Sequence, residues 1–295
     1  MRRMLNIGVL LTLGYIGTAG TANVLLANYL KRYDPFCITA ICFLATTAYF
    51  TLVNSRRLLG VYQLCKANRH AFILLNMYAA INWLSFYGAL SILEPVVVIT
   101  IVNVVGTIIN HMASSRNIPH LLIYGFAILL LFVYSIAPHW PKEIDTLYAL
   151  GALLLAHISG YTIVKTVVLS KQLYQIGLQA SDVMGVRFYL LIFVCIAKMT
   201  ISPSAPWTLD ARDISTIILL GSLSSVMPVY MLQVAYQYAT AKQIILTLSF
   251  APLFIFLLQF FMAAHPPSLW IALSVVLVSL TSMALISLPK SARKD

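Results

Sequence analysis

Arg187 and Lys165 carry the first chemical question in this sequence, because each stands inside a long apolar run where a charge is costly without a partner or water. Arg187 lies about two helical turns into its run, seven residues after Ala180. Two readings are open. The guanidinium can hold the carboxylate or phosphate of a solute, or pin helices that move. Alternatively it can snorkel to the membrane surface and pair with Asp182 or a helix end. Lys165 poses the same alternatives nearer a helix end. His157, Tyr161 and Lys165 follow at i, i+4 and i+8, so they share one side of a helix. That stripe could line a cavity in which His157 titrates near neutral pH, or it could serve inter-helix hydrogen bonding.

Neutral polar groups recur at helical spacing elsewhere. Thr100, Asn103, Thr107 and Asn110 form a stripe on a Val/Ile-rich run and must face protein or water. Asn76, Trp83 and Tyr87 share a face of the preceding run, and Tyr230, Gln233 and Gln237 share another. Aromatic walls with a few amides suit an amphipathic organic solute. Packing and interfacial aromatic belts are the alternative. The candidate substrate-binding set is therefore Trp83, Tyr87, Asn103, Tyr161, Lys165, Arg187, Tyr230 and Gln233, with His157 as a proton-linked candidate.

Other chemistry is missing from the pattern. Glu94 falls at a turn and Asp182 at a helix entry, so no carboxylate stands deep in a run to relay protons or trap a cation. There is no G-x-x-x-x-G-K-[ST], H-E-x-x-H, G-x-S-x-G or C-x-x-C. An enzyme is not expected, nor a metal or other cofactor. Cys37, Cys42, Cys65 and Cys195 read as small buried hydrophobes.

The elements that must position these groups are membrane helices. The chain is 61% apolar and 9% charged, against about 25% charged for a soluble domain. Breaks at charges, prolines and polar clusters leave spans near 5–29, 36–53, 71–91, 95–112, 119–137, 146–169, 181–200, 213–237, 242–263 and 268–288. Each approaches the ~20 residues that cross a bilayer. The first run is longer than a signal-peptide core, so an uncleaved first helix is expected. Lys and Arg concentrate on one side, among them Arg2, Arg3, Arg56, Arg57, Lys66, Arg69, Arg116 and Lys171, which predicts both termini in the cytoplasm. The net charge of +11 is then a topology and lipid-headgroup signal, and no nucleic-acid partner is expected.

A shift of 146 residues places Ala89 on Ala235, Gly106 on Pro252 and Gly14-Tyr15 on Gly160-Tyr161. This predicts an internal duplication of five-helix units, 1–140 and 141–295. An odd number of spans per unit turns the second copy upside down, and the site then falls near mid-bilayer between the halves. Interrupted helices are expected at the matched positions Gly106 and Pro252. The fold class expected is an all-α integral membrane protein of ten transmembrane helices in two inverted five-helix repeats.

The paired halves, with Ala89-Leu90 and Gly106 in one and Ala235-Tyr236-Gln237-Tyr238 and Pro252 in the other, resemble the EamA-like ten-helix members of the drug/metabolite transporter superfamily. An arginine in the second helix of a repeat, Arg187, is part of the resemblance; the first copy has Ile41 there, and it lacks the usual proline. The resemblance implies a central cavity walled by the first, third, fourth, sixth, eighth and ninth helices. It also implies a secondary transporter, an exporter or exchanger, of a small amphipathic metabolite, with amino acids among the candidates. A monomer or homodimer in a bacterial inner membrane is the expected setting. Two alternatives stand beside it: a non-transporting scaffold or accessory subunit, and a transporter of nucleotide-type anions if Lys165 and Arg187 both face the cavity.

Overall fold

A computed structural model describes residues 2–30, 32–112, 123, 125, 126, 146–201, 210–262 and 268–287. Among the described residues there is no strand. Among them, seven helices are long and apolar enough to cross a membrane, and the apolar stretches Pro95–Ile109 and Leu269–Thr281 are shorter. The protein is an all-helical, multi-pass membrane protein. Of the expected spans, 119–137 lies outside the described residues apart from three positions; helices stand at every other expected place.

In the first half, α1 (Arg2–Leu30) turns through Asp34 into α2 (Pro35–Val53). The Asp34 carboxylate accepts the Phe36 amide at 2.7 Å, and Pro35 occupies the first turn, where a missing N–H costs nothing. A short amphipathic helix, α3 (Leu58–Ala67), buries Val61 and Cys65. It leads into α4 (Arg69–Leu90) and α5 (Pro95–Met112). The α5 amino end is capped from a distance: Gln259 Oε1 accepts the Val96 amide at 2.7 Å. α5 runs through Gly106 without interruption. The glycine is instead a packing position, 3.6 Å by its would-be Cβ from the Gly160 carbonyl.

The second half contains α6 (Thr146–Gln175), α7 (Ala180–Val186), α8 (Tyr189–Ile201), α9 (Ala211–Gly221) and a π-helical segment at Ser222–Val226. It continues through α10 (Met227–Tyr238), α11 (Ala241–Leu248), α12 (Ala251–Met262) and α13 (Leu269–Ser287). Helix boundaries recur at nearly the shift seen in the sequence. α5 begins at Pro95 and α11 at Ala241, 146 residues apart; α1 ends at Leu30 and α6 at Gln175, 145 apart.

Three of these second-half spans are interrupted, and two interruptions have a proline cause. Pro228 cannot donate to the Ser224 carbonyl four residues back, and the turn before it widens into the π segment. Ser224 and Ser225 hydroxyls bond the Gly221 carbonyl there, at 3.1 and 2.6 Å. Pro252 likewise cannot bond the Leu248 carbonyl, and the helix restarts after Ser249 and Phe250.

Close approach holds the halves together. A Cβ on Gly160 would lie 2.7 Å from Val105 Cβ and 2.8 Å from the Val102 carbonyl, so only glycine lets α6 meet α5. Behind the centre, Phe43, Trp83, Phe86, Tyr87 and Phe188 form one aromatic cluster with ring centroids 4.6–6.2 Å apart. The four cysteines are buried free thiols. Leu10, Leu44, Leu52, Leu154 and Phe193 are exposed, an apolar exterior that suits lipid.

Each end of the bundle is tied across the two halves. At one end Ser181 Oγ donates to Asn54 Oδ1 at 3.0 Å, and Arg57 Nη2 meets Asp182 Oδ2 at 3.3 Å. At the other, the Tyr33 hydroxyl donates to the Asp213 carboxylate.

Candidate functional site

The interruption between α7 and α8 delivers the most unusual side chain to the middle of the bundle. Arg187 closes α7, its amide bonded to the Val183 carbonyl at 3.1 Å, and the helix restarts at Tyr189. The groups freed by that break are met from α4. Asn76 Nδ2 donates to the Val186 carbonyl at 3.0 Å, and Asn76 Oδ1 accepts the Leu190 amide at 3.5 Å. One amide side chain thus braces both broken ends.

The Arg187 side chain is 4% exposed. Its Nε and Nη1 have no hydrogen-bond partner among the described residues. The acid expected as its partner, Asp182, is engaged elsewhere: it accepts the Gln179 amide at 2.8 Å and pairs with Arg57. The ionisable groups around Arg187 are the phenols of Tyr15, Tyr174 and Tyr236. Its guanidinium carbon also lies 5.1 Å from the Phe188 ring centroid.

Arg187 faces a central cavity with about 780 Å³ of space between atoms, mouth included. Both halves wall it. Tyr15 and Asn23 come from α1, Asn82 and Trp83 from α4, Asn103 from α5, Ser159 and Thr166 from α6, and Gln233 and Tyr236 from α10. Between them stand aliphatic side chains such as Ile99, Val102, Leu248 and Ile255. The mix of apolar wall with a few polar groups matches the lining of sites for small organic molecules.

Several of these polar groups are satisfied within the protein. Ser159 and Thr162 hydroxyls donate to Asn82 Oδ1 at 3.0 and 3.5 Å. Asn103 Nδ2 donates to the Ile99 carbonyl at 2.9 Å, and the Tyr174 hydroxyl donates to Gln233 Oε1. Others are not. Besides Arg187, the buried Trp83 Nε1 and Asn23 Oδ1 have no partner among the described residues. All three side chains line this one cavity.

The sequence-predicted residues divide. Trp83, Asn103, Arg187 and Gln233 line the cavity. Tyr87 is wholly buried behind Trp83, its hydroxyl 3.4 Å from Ser224 Oγ. Tyr230 is 38% exposed and packs on Phe50, with centroids 5.3 Å apart. Tyr161 is 42% exposed, and the Lys165 ammonium sits 5.3 Å over its ring. His157 Nδ1 lies 2.7 Å from the Leu153 carbonyl in its own helix. None of Tyr87, Tyr161, Lys165, Tyr230 and His157 is among the cavity-lining residues.

Rotation explains the α6 outcome. Ser159 stands two residues from both His157 and Tyr161, about 200° around a helix at 3.6 residues per turn, so their stripe faces away from the cavity. Tyr15, Asn23, Asn82, Ser159, Thr166 and Tyr236 are cavity residues that pattern reading missed. A signal existed for two of them: Tyr15, Ala19 and Asn23 follow at i, i+4 and i+8 beside the small residues of α1, and all three face the cavity.

On α5, the predicted polar stripe is largely self-satisfied. Thr100 and Thr107 hydroxyls return to the Val96 and Asn103 carbonyls at 2.6 and 2.8 Å. Thr107 Oγ1 also lies 3.3 Å from Ser249 Oγ, at the break before Pro252. The Asn110 side chain lies outside the described residues.

No family model matches the chain, and no curated protein matches it. A solved structure bearing only the words "Crystal structure of protein" does, with a TM-score of 0.65 and 14% sequence identity. The alignment covers 95% of this chain and 96% of that one. At that identity the likeness is one of fold, and it spans nearly the full length of both proteins.

Proposed function

We propose that this protein is a secondary transporter of a small amphipathic metabolite, built as two inverted five-helix repeats in the manner of the drug/metabolite transporter superfamily. The observation that carries the reading is the central cavity, walled by both halves, with a buried guanidinium lacking an acid. A structural arginine in a membrane protein is expected to be paired or to reach the surface. Arg187 is buried, and its Nε and Nη1 have no partner among the described residues, which suits a site awaiting a solute.

The arrangement supports alternating access. Cross-half ties stand at both ends, Arg57 with Asp182 and Tyr33 with Asp213, and each has to open in turn for a solute to pass. Three interrupted helices in the second half supply places where segments can re-aim. Orientation follows the basic residues: the end bearing Arg56, Arg57 and Arg69 is assigned to the cytoplasm, in a bacterial inner membrane. A nucleotide-type solute would call for a second cation, and Lys165 is not among the cavity-lining residues.

Counterflow in proteoliposomes tests the reading. Vesicles loaded with an unlabelled solute should accumulate the labelled form faster than protein-free vesicles for at least one class among organic acids, amino acids, nucleosides and amines. Arg187→Gln should abolish that accumulation. Wild-type protein that matches empty vesicles across all four classes, yet co-purifies with a stoichiometric partner in mild detergent, would replace the transporter reading with an accessory role.

A further inference from the structure

We propose that the central cavity selects a small organic monoanion, a carboxylate with an apolar body and one hydrogen-bond donor, over zwitterions and cations. The inference deepens the transporter reading and rests on that cavity being the solute's site. It starts from charge. The lining residues include one formal charge, Arg187, and no Asp or Glu. A buried ion without a counter-ion is costly, and the cost is relieved by a ligand that brings the total to zero. A monoanion does this. A zwitterion carries its own ammonium and leaves the site at +1, and a cation raises it to +2.

The orphaned polar atoms draw the same ligand. Among the described residues that line the cavity, the buried donors without partners are Arg187 Nε and Nη1 and Trp83 Nε1. The matching orphan acceptor is Asn23 Oδ1. A carboxylate has two oxygens and about four lone-pair directions, enough for the guanidinium and the indole N–H together. A hydroxyl or amide N–H elsewhere on the solute would answer Asn23. Asn82, Asn103, Ser159, Thr166 and Gln233 also line the wall but are already hydrogen-bonded within the protein, and most of what remains is apolar, with Trp83, Phe86, Ile99, Val102 and Leu248 among the contacts. That surface offers the body of the solute mainly apolar contacts.

Alternatives within the cavity are weaker. Gln233 and Asn82 already accept hydrogen bonds from Tyr174 and Ser159, so their oxygens are less available to hold an ammonium. Trp83 could face a cation with its ring, but its centroid is already 4.8 Å from Phe43 and 5.8 Å from Phe86.

The test uses the full-length protein in lipid nanodiscs and two matched sets of probes. One comprises 2-hydroxy-3-phenylpropanoate, phenylalanine, 2-phenylethylamine and 3-phenylpropane-1,2-diol; the other comprises 2-hydroxy-4-methylpentanoate, leucine, 3-methylbutylamine and 4-methylpentane-1,2-diol. Calorimetry or ligand-induced thermal stabilisation should rank the acid at least tenfold tighter than its zwitterion, amine and alcohol in one set or both. Arg187→Gln should erase that ranking. Where that variant fails to fold, Asn23→Asp serves: its carboxylate supplies the site with an anion and should weaken the acid tenfold while improving the zwitterion. Equal or tighter binding of an amino acid or amine by the wild type overturns the proposal, and so does silence of both sets or an unchanged ranking in Asn23→Asp. Acid-selective binding without counterflow would uphold the anion site while removing transport, so the two readings fail separately.

Discussion

α2 and the α7–α8 pair occupy matched places in the two halves, and they solve the same span differently. α2 crosses as one unbroken helix from Pro35 to Val53, with Ile41 where the 146-residue shift would put Arg187. Its counterpart breaks at Arg187 and Phe188. The contrast repeats along the chain. α4 is continuous where α9, the π segment and α10 are not, and α5 is continuous where α11 and α12 part. Prolines explain most of it: the first half has Pro35 and Pro95 at helix starts, whereas Pro228 and Pro252 fall where an i−4 bond is lost. Among the described residues, the first-half spans are unbroken helices, and the second half carries the interruptions and the buried arginine.

The contrast is sharpest at Arg187, and the largest effect is expected there. Arg187→Met replaces an unpaired buried ion with a side chain of similar length, making the second half resemble the first at this position. Exchanging buried charge for apolar volume stabilises proteins by about 1–4 kcal/mol in favourable cases. The unliganded variant should melt higher than wild type while losing every ligand-induced shift. A lower melting point with ligand shifts intact would mean that Arg187 holds the fold and not a solute.

The bend itself depends on Asn76, the next largest effect. Asn76→Leu fills a similar space but leaves the Val186 carbonyl and Leu190 amide without their side-chain partner. Unmet buried groups cost about 1–3 kcal/mol. The variant should lose stability by that order in thermal unfolding, and it should also weaken ligand binding, because Arg187 is presented from the end of the braced α7. Asn76→Gln or Asn76→Asp would test whether geometry or amide chemistry matters. Unchanged unfolding in Asn76→Leu would mean that the break needs no brace.

How much of this was legible in the sequence varies with the physics involved. The positions of the spans that fall on described residues were, because apolar runs of helical length have few alternatives in a chain this poor in charge. The Pro252 interruption was legible for the same reason that it exists: proline cannot complete the helical ladder. Gly106 was misleading, since a glycine can serve a bend or a close approach, and only the distance to Gly160 decides between them. Facing was the weakest inference. α6 is apolar around most of its circumference, so the polar stripe His157-Tyr161-Lys165 and the smaller residues Ser159 and Thr166 compete on opposite sides. No single apolar face marks which of them turns inward. Arg187 could not be placed by spacing alone, because whether it snorkels depends on Asp182 being free, and Arg57 from a distant loop occupies that acid.

The smallest effect concerns the Tyr33–Asp213 tie between the half with unbroken spans and the half with interrupted ones. The Tyr33 hydroxyl donates to Asp213, and that bond raises the phenol above its ordinary value of 10.0. Desolvation and the charges of Asp213 and Asp210 add to the rise, while Arg32 opposes it. A raised folded-state value means the folded protein holds this proton to higher pH than the unfolded chain does. The tie therefore contributes fully below the unfolded value and is lost as pH rises through the folded one. Tyr33→Phe should be slightly less stable than wild type at neutral pH, by an amount that stays constant until the alkaline range and then vanishes. The Arg57–Asp182 tie at the opposite end behaves differently, since arginine keeps its charge throughout and salt, not alkali, is the agent that weakens it. Thermal unfolding of wild type and Tyr33→Phe between pH 7 and about pH 11, at low and high salt, separates the two ends. A Tyr33→Phe deficit that grows with pH would mean the phenolate, not the phenol, is the form this end of the bundle holds.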